Sequence, residues 1–216
     1  MKAIVVAGGD AVPEDVAHLG GADLLIAADS GAAWLAGADR WPDVLIGDMD
    51  SIDPALFGRL AADGVQIERH PTDKDASDAE LAVERAIAAG ADEVVVLGAL
   101  GGQRLDHELA NLLLLGDPRW RGQALRIVRG RISVRALQGG DTLVLDGMEG
   151  DLVTLLSIDG KAVAVRTQGL RFVLEGETLP LGRSRGLSNS VAQPPASVSL
   201  ERGTLLVIET RKELST

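Results

Sequence analysis

The stretch Ile46–Asp53, IGDMDSID, sets three aspartates in eight residues directly after an apolar run. Asp48 and Asp50 are two residues apart. In an extended segment such residues point to the same side, and two carboxylates held that close repel unless something positive lies between them. A hard divalent cation such as magnesium meets that need, because it takes oxygen ligands from one or two carboxylates and from substrate phosphates. The alternative is an acidic turn, since aspartate also bonds its own backbone in turns. Asp53 stands directly before Pro54 and reads as a helix N-cap followed by proline at the first helical position.

Three further stretches carry residue types suited to phosphate chemistry. Asp29-Ser30-Gly31 follows an apolar strand and opens a helix, where backbone N–H groups either hold an anion or are capped by the Asp or Ser side chain. TDKDASD (72–78) sets Asp73, Asp75 and Asp78 around Lys74, whose ammonium is a point charge for phosphate oxygens. Asp78 in a first helical turn also gains from the helix dipole. GALGGQRLDHELAN (98–111) has glycines, Gly101 among them, that permit tight turns and a nest of N–H groups, then Arg104 and Asp106. Asp106 either orients Arg104 or meets the ligand, and His107 is a weaker candidate for a base. Gly8-Gly9-Asp10 reads as a tight turn, and GRSRGLSNSV (182–191) as a small-polar loop with two arginines.

These loops need a frame. Up to about residue 128 short apolar runs alternate with helical patterns. KAIVVAG (2–8), DLLIAA (23–28), DVLIG (43–47), VQIE (65–68), EVVVLG (93–98) and LRIV (125–128) read as strands buried on both faces. Helical patterns fall at about 13–20, 31–38, 54–63, 77–90 and 105–116, with a capping box at Ser77–Glu80 and left-handed C-caps expected at Gly90 and Gly116. The alternation predicts a mainly parallel α/β sheet, and in such sheets ligands bind beyond the carboxyl ends of the strands. The polar loops of this first part all follow its strands, so they gather on one rim.

After about residue 130 the pattern changes. ISVRAL (132–137), TLVLDG (142–147), LVTLLSI (152–158), AVAVRT (162–167), LRFVLEG (170–176), ASVSLE (196–201) and TLLVIET (204–210) recur about every ten residues, separated by turn signals. The expected fold class is therefore α/β followed by all-β: an α/β domain over 1–129 and a β-sandwich over 130–216.

Composition narrows the function. With 46% hydrophobic and 25% charged residues, the chain can bury a core. It has no cysteine, which excludes disulfides, thiolate metal sites and cysteine nucleophiles. A formal net charge of −11 argues against a nucleic-acid partner. No apolar run approaches the roughly 18 residues that span a bilayer, and MKAIVVAGGD lacks a leader pattern. The expectation is a cytoplasmic protein without a membrane partner.

In family order, ADSGA (28–32), PDVLIGDMDSI (42–52), KDASDAELA (74–82), LGALGGQRLDHELANLLLL (97–115), TQGLRFVL (167–174), GLSN (186–189) and GTLLVI (203–208) resemble the thiamine pyrophosphokinase (thiamine diphosphokinase) family over nearly the whole chain. The resemblance implies a homodimer that binds thiamine where its subunits meet and transfers the pyrophosphoryl group of ATP to the thiamine hydroxyl, giving thiamine diphosphate and AMP. Carried over by position, Asp48, Asp50 and Asp78 look like the magnesium acids. Asp29, Ser30, Gly31, Lys74, Asp75, Gly101 and Arg104 look like nucleotide-site residues. Asp106 looks like a further residue of that site and is the candidate proton acceptor. Ser188 and Asn189 look like part of the thiamine pocket, with the first domain catalytic and the second binding thiamine and forming the dimer. Ser77 stands where the family usually has threonine and keeps the hydroxyl. SVAQPPASV after Asn189 has no aromatic ring, so aliphatics or a residue from elsewhere would hold the thiamine rings.

Three rival readings have features of their own. A pyrophosphokinase for another hydroxymethyl heterocycle, such as a pterin, would share the catalytic loops and differ in the acceptor pocket. A non-catalytic nucleotide or thiamine sensor could lose the metal acids, which this chain keeps. A sugar-nucleotide transferase would need a longer basic, glycine-rich first loop than VVAGGD provides.

Overall fold

The structure is a computed structural model and describes residues 1–213. The chain divides into two compact units, one of residues 1–111 and 122–130, the other of residues 112–121 and those from 131 onward.

The first unit contains β1 (Lys2–Val6), β2 (Leu24–Ala28), β3 (Val44–Gly47), β4 (Gln66–Arg69), β5 (Glu93–Leu97) and β6 (Ala124–Arg129). They lie in the order β4-β3-β2-β1-β5-β6 and every pair is parallel. Residues Ala3 to Val6 are fully buried, which is why this strand reads as a continuous apolar run rather than an alternation. From β1 the chain runs outward through β2, β3 and β4, then returns to place β5 on the other side of β1. The β1/β5 boundary is therefore the switch point of the sheet, where a crevice opens beyond the strand ends.

The helices α1 (Gly31–Gly37), α2 (Pro54–Ala62), α3 (Asp78–Ala88) and α4 (Leu105–Leu114) follow β2, β3, β4 and β5. Asp53 caps α2 by accepting from Leu56 N at 2.9 Å, and Ser77 caps α3 by accepting from Glu80 N at 3.1 Å. Gly90 has φ +91°, the left-handed C-cap expected of it. Gly116 does not have a positive φ. A Cβ there would lie 2.5 Å from Ile158 Cδ1, so close packing explains this glycine instead. The segment expected as a helix at 13–20 is a 3₁₀ helix, Pro13–Leu19. Its fully buried Asp15 accepts from Val12 N and from Gly130 N at 2.9 and 2.7 Å.

Gly31 opens α1 where that helix meets β1: a Cβ would come within 2.1 Å of the Val6 carbonyl oxygen. Glycine-to-alanine changes in helices usually stabilise, by about 1 kcal/mol. Here the sign reverses. Gly31→Ala is expected to destabilise by about 1–3 kcal/mol, the usual cost of overpacking a core, read as a lower urea midpoint with unchanged slope.

The second unit is antiparallel. One sheet joins β7 (Ile132–Gln138), β14 (Thr204–Thr210), β9 (Leu152–Ser157) and the two-residue β12 (Asn189–Ser190). The other joins β8 (Thr142–Val144), β13 (Ser197–Ser199), β10 (Lys161–Gln168) and β11 (Glu175–Pro180). Leu137, Val153, Leu155, Leu205 and Val207 from the first sheet share one core with Val165, Leu179 and Val198 from the second. That is the expected sandwich.

One strand differs. LRFVLEG (170–176) does not form a strand, and the strand begins at Glu175. Asn189 accepts from Phe172 N at 3.0 Å and donates to Phe172 O at 2.7 Å, so a side chain replaces the ladder there.

Candidate active site

The carboxyl ends of β2 and β3 bring the first acids together. Asp29 has φ +44°, and its Oδ1 accepts from Met49 N at 3.4 Å. Gly47 makes room for it: a Cβ on Gly47 would lie 1.7 Å from Asp29 Oδ1. Burial, and then the neighbouring Asp78 carboxyl, push the Asp29 carboxyl up to about 7. Asp48 Oδ1 accepts from Asp50 N at 3.1 Å, an Asx turn. That N–H, with the Thr72 hydroxyl, holds the Asp48 carboxyl below its ordinary range, while Asp48 pushes Asp50 above it.

Lys74 supplies a positive charge here. Its Nζ lies 2.7 Å from Asp78 Oδ1, both side chains are mostly buried, and its charge favours the ionised forms of Asp48 and Asp50. Among the described residues no three carboxylates or histidines stand close enough to form a ready-made metal site. The donor set still suits a hard divalent cation, because Asp29, Asp48, Asp50 and Asp78 are all oxygen donors with Lys74 among them. Two of those carboxyls are already pushed toward protonation, Asp29 by burial first and then by Asp78, and Asp50 by Asp48 first.

Ser30 makes no side-chain cap to α1, and its hydroxyl donates to Gly8 O at 3.4 Å. Asp75 is exposed on the loop before α3. Gly8 and Gly9 do more than turn the chain. A Cβ on Gly8 would lie 2.4 Å from Ser30 Oγ, and one on Gly9 would lie 2.5 Å from the Gly98 carbonyl oxygen. Gly9 N donates to that carbonyl at 2.7 Å, so the loops after β1 and β5 pack backbone on backbone at the switch point. Gly98, Gly101 and Gly102 all have positive φ, and Asn111 Nδ2 holds the loop by donating to Ala99 O at 3.0 Å.

Arg104 and Asp106 form a bidentate pair, Nε to Oδ1 at 2.9 Å and Nη2 to Oδ2 at 2.7 Å, with both side chains exposed. The guanidinium holds the Asp106 carboxyl well below the usual carboxylate range. Asp106 therefore orients Arg104 in this geometry and is a poor proton acceptor. His107 is exposed on α4.

In the second unit a cavity of about 230 Å³ is lined by Leu155, Phe172, Leu174, Arg185, Leu187 and Asn189. The 182–191 loop that forms one wall is pinned. Gly186 O accepts from Leu155 N at 2.8 Å, and Ser188, at φ +57°, donates its N–H to Thr154 Oγ1 at 3.2 Å. Asn189 is buried and spends its amide on Phe172 and on Ser190 N. The Phe172 ring is 58% exposed and carries the Arg171 guanidinium 5.5 Å from its centroid. Phe172 is thus an aromatic side chain on the cavity wall, bonded through its backbone to Asn189. It lies in a stretch read from sequence as a strand, so its tie to Asn189 was hidden.

The comparisons agree with both units. A family model described as "Thiamin pyrophosphokinase, catalytic domain" matches residues 17–128. One described as "Thiamin pyrophosphokinase, vitamin B1 binding domain" matches residues 141–205. Thiamine pyrophosphokinase of Bacillus subtilis (strain 168) is 24% identical over 211 residues, which is 96% of this chain and 98% of that protein. Thiamine pyrophosphokinase 1 of Oryza sativa subsp. japonica is 28% identical over 181 residues, 79% of this chain and 67% of that protein. In fold, the crystal structure of the Bacillus subtilis thiamine pyrophosphokinase has a TM-score of 0.86 at 22% identity, covering 99% of this chain and 100% of that one. Yeast thiamin pyrophosphokinase has a TM-score of 0.76 at 15% identity, covering 97% and 86%. By its catalytic-domain match, which spans more than half its length, the chain belongs to the thiamine pyrophosphokinase family.

Proposed function

We propose that this chain transfers the pyrophosphoryl group of ATP to the hydroxyl of thiamine, releasing thiamine diphosphate and AMP. The observation that carries this reading is the rim of Asp29, Asp48, Asp50, Asp78 and Lys74, set at strand ends in a chain whose two parts resemble the catalytic and vitamin B1 binding domains of one enzyme family. Such transfer depends on positioning and charge neutralisation more than on covalent help from the protein. The thiamine oxygen attacks the β-phosphorus, the bond from that phosphorus to the α,β-bridging oxygen breaks, AMP leaves with that oxygen, and the hydroxyl proton passes to solvent water. Magnesium bound at Asp48, Asp50 and Asp78 would supply charge compensation for the phosphates. Lys74 adds an ammonium beside them, and the Asp106-oriented fork of Arg104 adds a planar guanidinium suited to phosphate. Asp29, Ser30, Gly31, Asp75 and Gly101 complete the nucleotide side in this reading, within the catalytic part, 1–129.

The cavity at Phe172 and Asn189 is the candidate thiamine pocket, within the part, 130–216, that binds thiamine and forms the dimer. Phe172 offers a π-face to a cationic ring. At about 230 Å³ the cavity is below the ~300 Å³ lower end of ligand clefts, which supports a pocket completed by a second subunit. Leu105, Leu109 and Leu113 recur every fourth residue on α4 and are each more than half exposed. An apolar helix stripe of this kind suits an interface, so in this reading α4 of the catalytic part adds to the dimer contact made by the 130–216 part. The chain is expected to sediment as a dimer, and Leu109→Glu to shift it toward monomer with loss of thiamine turnover. A monomeric parent chain would remove the two-subunit pocket.

Incubation with ATP, magnesium and thiamine, followed by separation of products, tests the function. Thiamine diphosphate and AMP are expected. ADP as the nucleotide product would mean single-phosphoryl transfer. Turnover of a pterin alcohol in place of thiamine would move the acceptor assignment.

A further inference from the structure

We infer that Arg129 grips a phosphate of the nucleotide at the β1/β5 switch point. This rests on the pyrophosphokinase reading only in supposing that the ligand is ATP. Arg129 is the last residue of β6 and lies one position beyond the catalytic family match. Its backbone is fixed from below: the buried Asp15 carboxylate bonds Gly130 N, the next residue, and Val12 N in the loop after β1. Its side chain then reaches across the sheet end. Arg129 Nε donates to Asp10 O at 3.1 Å, and the Nε and Nη2 atoms lie 3.3 and 3.4 Å from where a Cβ on Gly101 would stand. Gly101 is glycine in part because a guanidinium is packed against it.

The Arg129 guanidinium has no carboxylate partner among the described residues. In the same unit Arg85, Arg104 and Arg126 are each tied to a carboxylate. Among the described residues the only side-chain hydrogen bond of Arg129 is the one from Nε to a neutral carbonyl. Its two Nη groups keep their donors, next to a loop whose glycines at 98, 101 and 102 bring backbone close to any bound ligand. A guanidinium held at Nε, with its outer fork free, is arranged for two parallel bonds to phosphate oxygens. The site is also the crevice in which open parallel sheets bind nucleotides. Arg59 and Arg69 of this unit lie over the Trp41 and Phe57 rings rather than against carboxylates, and Arg129 differs from them in standing at that crevice. As AMP departs, the phosphate it carries gains negative charge, so a fixed cation there also favours the products' separation.

The test compares the parent chain with Arg129→Gln and Arg129→Lys. ATP binding is measured by calorimetry, and KM is measured separately for ATP and thiamine. Arg129→Gln is expected to weaken ATP binding and raise the ATP KM by about tenfold or more, the loss typical of a charge-assisted bond. The thiamine KM should stay within about twofold. Arg129→Lys should recover part of the loss, since lysine restores the charge but not the fork. Unchanged ATP affinity in Arg129→Gln overturns the inference. So does an equal loss for ATP and thiamine, which would mean a collapsed loop. If Arg129→Gln does not fold, Arg129→Lys decides: it must still lose ATP affinity several-fold. A parent chain that binds ATP through Arg129 but leaves thiamine unreacted would refute the proposed activity and support this inference.

Discussion

Asp48→Asn is expected to lower thiamine turnover at least about a hundredfold, the scale on which a lost transition-state charge partner is felt, while the protein unfolds at the same urea concentration as the parent. The substitution is chosen because Asp48 has two possible jobs. Its Oδ1 closes an Asx turn by accepting from Asp50 N at 3.1 Å. Asparagine keeps that oxygen and therefore keeps the turn. What it loses is the negative charge, and with it a hard anionic oxygen for a divalent cation. If the turn is the whole role of Asp48, the variant works like the parent, and the proposed magnesium role is wrong. If the charge matters, turnover falls and the magnesium concentration needed for half-maximal rate rises. Asp48→Ala removes both jobs, so the difference between the two variants isolates the turn, worth about 1 kcal/mol of stability.

The acid rim was legible in the sequence because it is written in local spacing. Asp48 and Asp50 follow a strand, Asp53 precedes Pro54, and Ser77 caps α3, and each of these can be judged within five residues. The strands of the parallel sheet were equally plain, since burial on both faces leaves a continuous apolar run. What sequence could not give is any contact between distant segments. Gly9 looks like a turn glycine until the carbonyl of Gly98, 89 positions away, is seen 2.5 Å from where its side chain would begin. Gly116 looks like a C-cap, and is glycine because Ile158 is pressed against it. Asp106 reads as orienting Arg104 or as meeting the ligand, and its bidentate pair with Arg104 is a geometry that spacing does not display. Asp15 and Arg129 gave no signal at all. Their roles exist only where β1 and β6 end side by side with β5.

Asn189 shows the same limit at the second site, and leads to the other large expected effect. Its position in GLSN marks it as a pocket residue, yet its amide oxygen and one of its two N–H donors are already committed within the chain. Oδ1 accepts from Phe172 N and Ser190 N, and Nδ2 donates to Phe172 O. Its bonds hold Phe172 itself, in a stretch that Arg171 N to Ser190 O and Leu174 N to Thr167 Oγ1 anchor on either side. Asn189→Ala and Phe172→Ala should therefore each raise the thiamine KM, by about thirtyfold or more, if the ring supplies about 2 kcal/mol of cation–π and stacking contact. The ATP KM should move little in either. Two independent contacts would multiply, giving about a thousandfold in the double variant. A positioning residue and the residue it positions do not multiply, so the double variant should resemble Phe172→Ala alone. Asn189→Ala carries a second cost that Phe172→Ala does not, because it strands the partly buried N–H and carbonyl of Phe172. That should lower stability by about 1–3 kcal/mol. Phe172→Trp, which keeps a π-face on the anchored loop, should retain tight thiamine binding. A double variant that loses the full product of the two effects would mean that Asn189 meets thiamine directly, and that its bonds to Phe172 open when the ligand arrives.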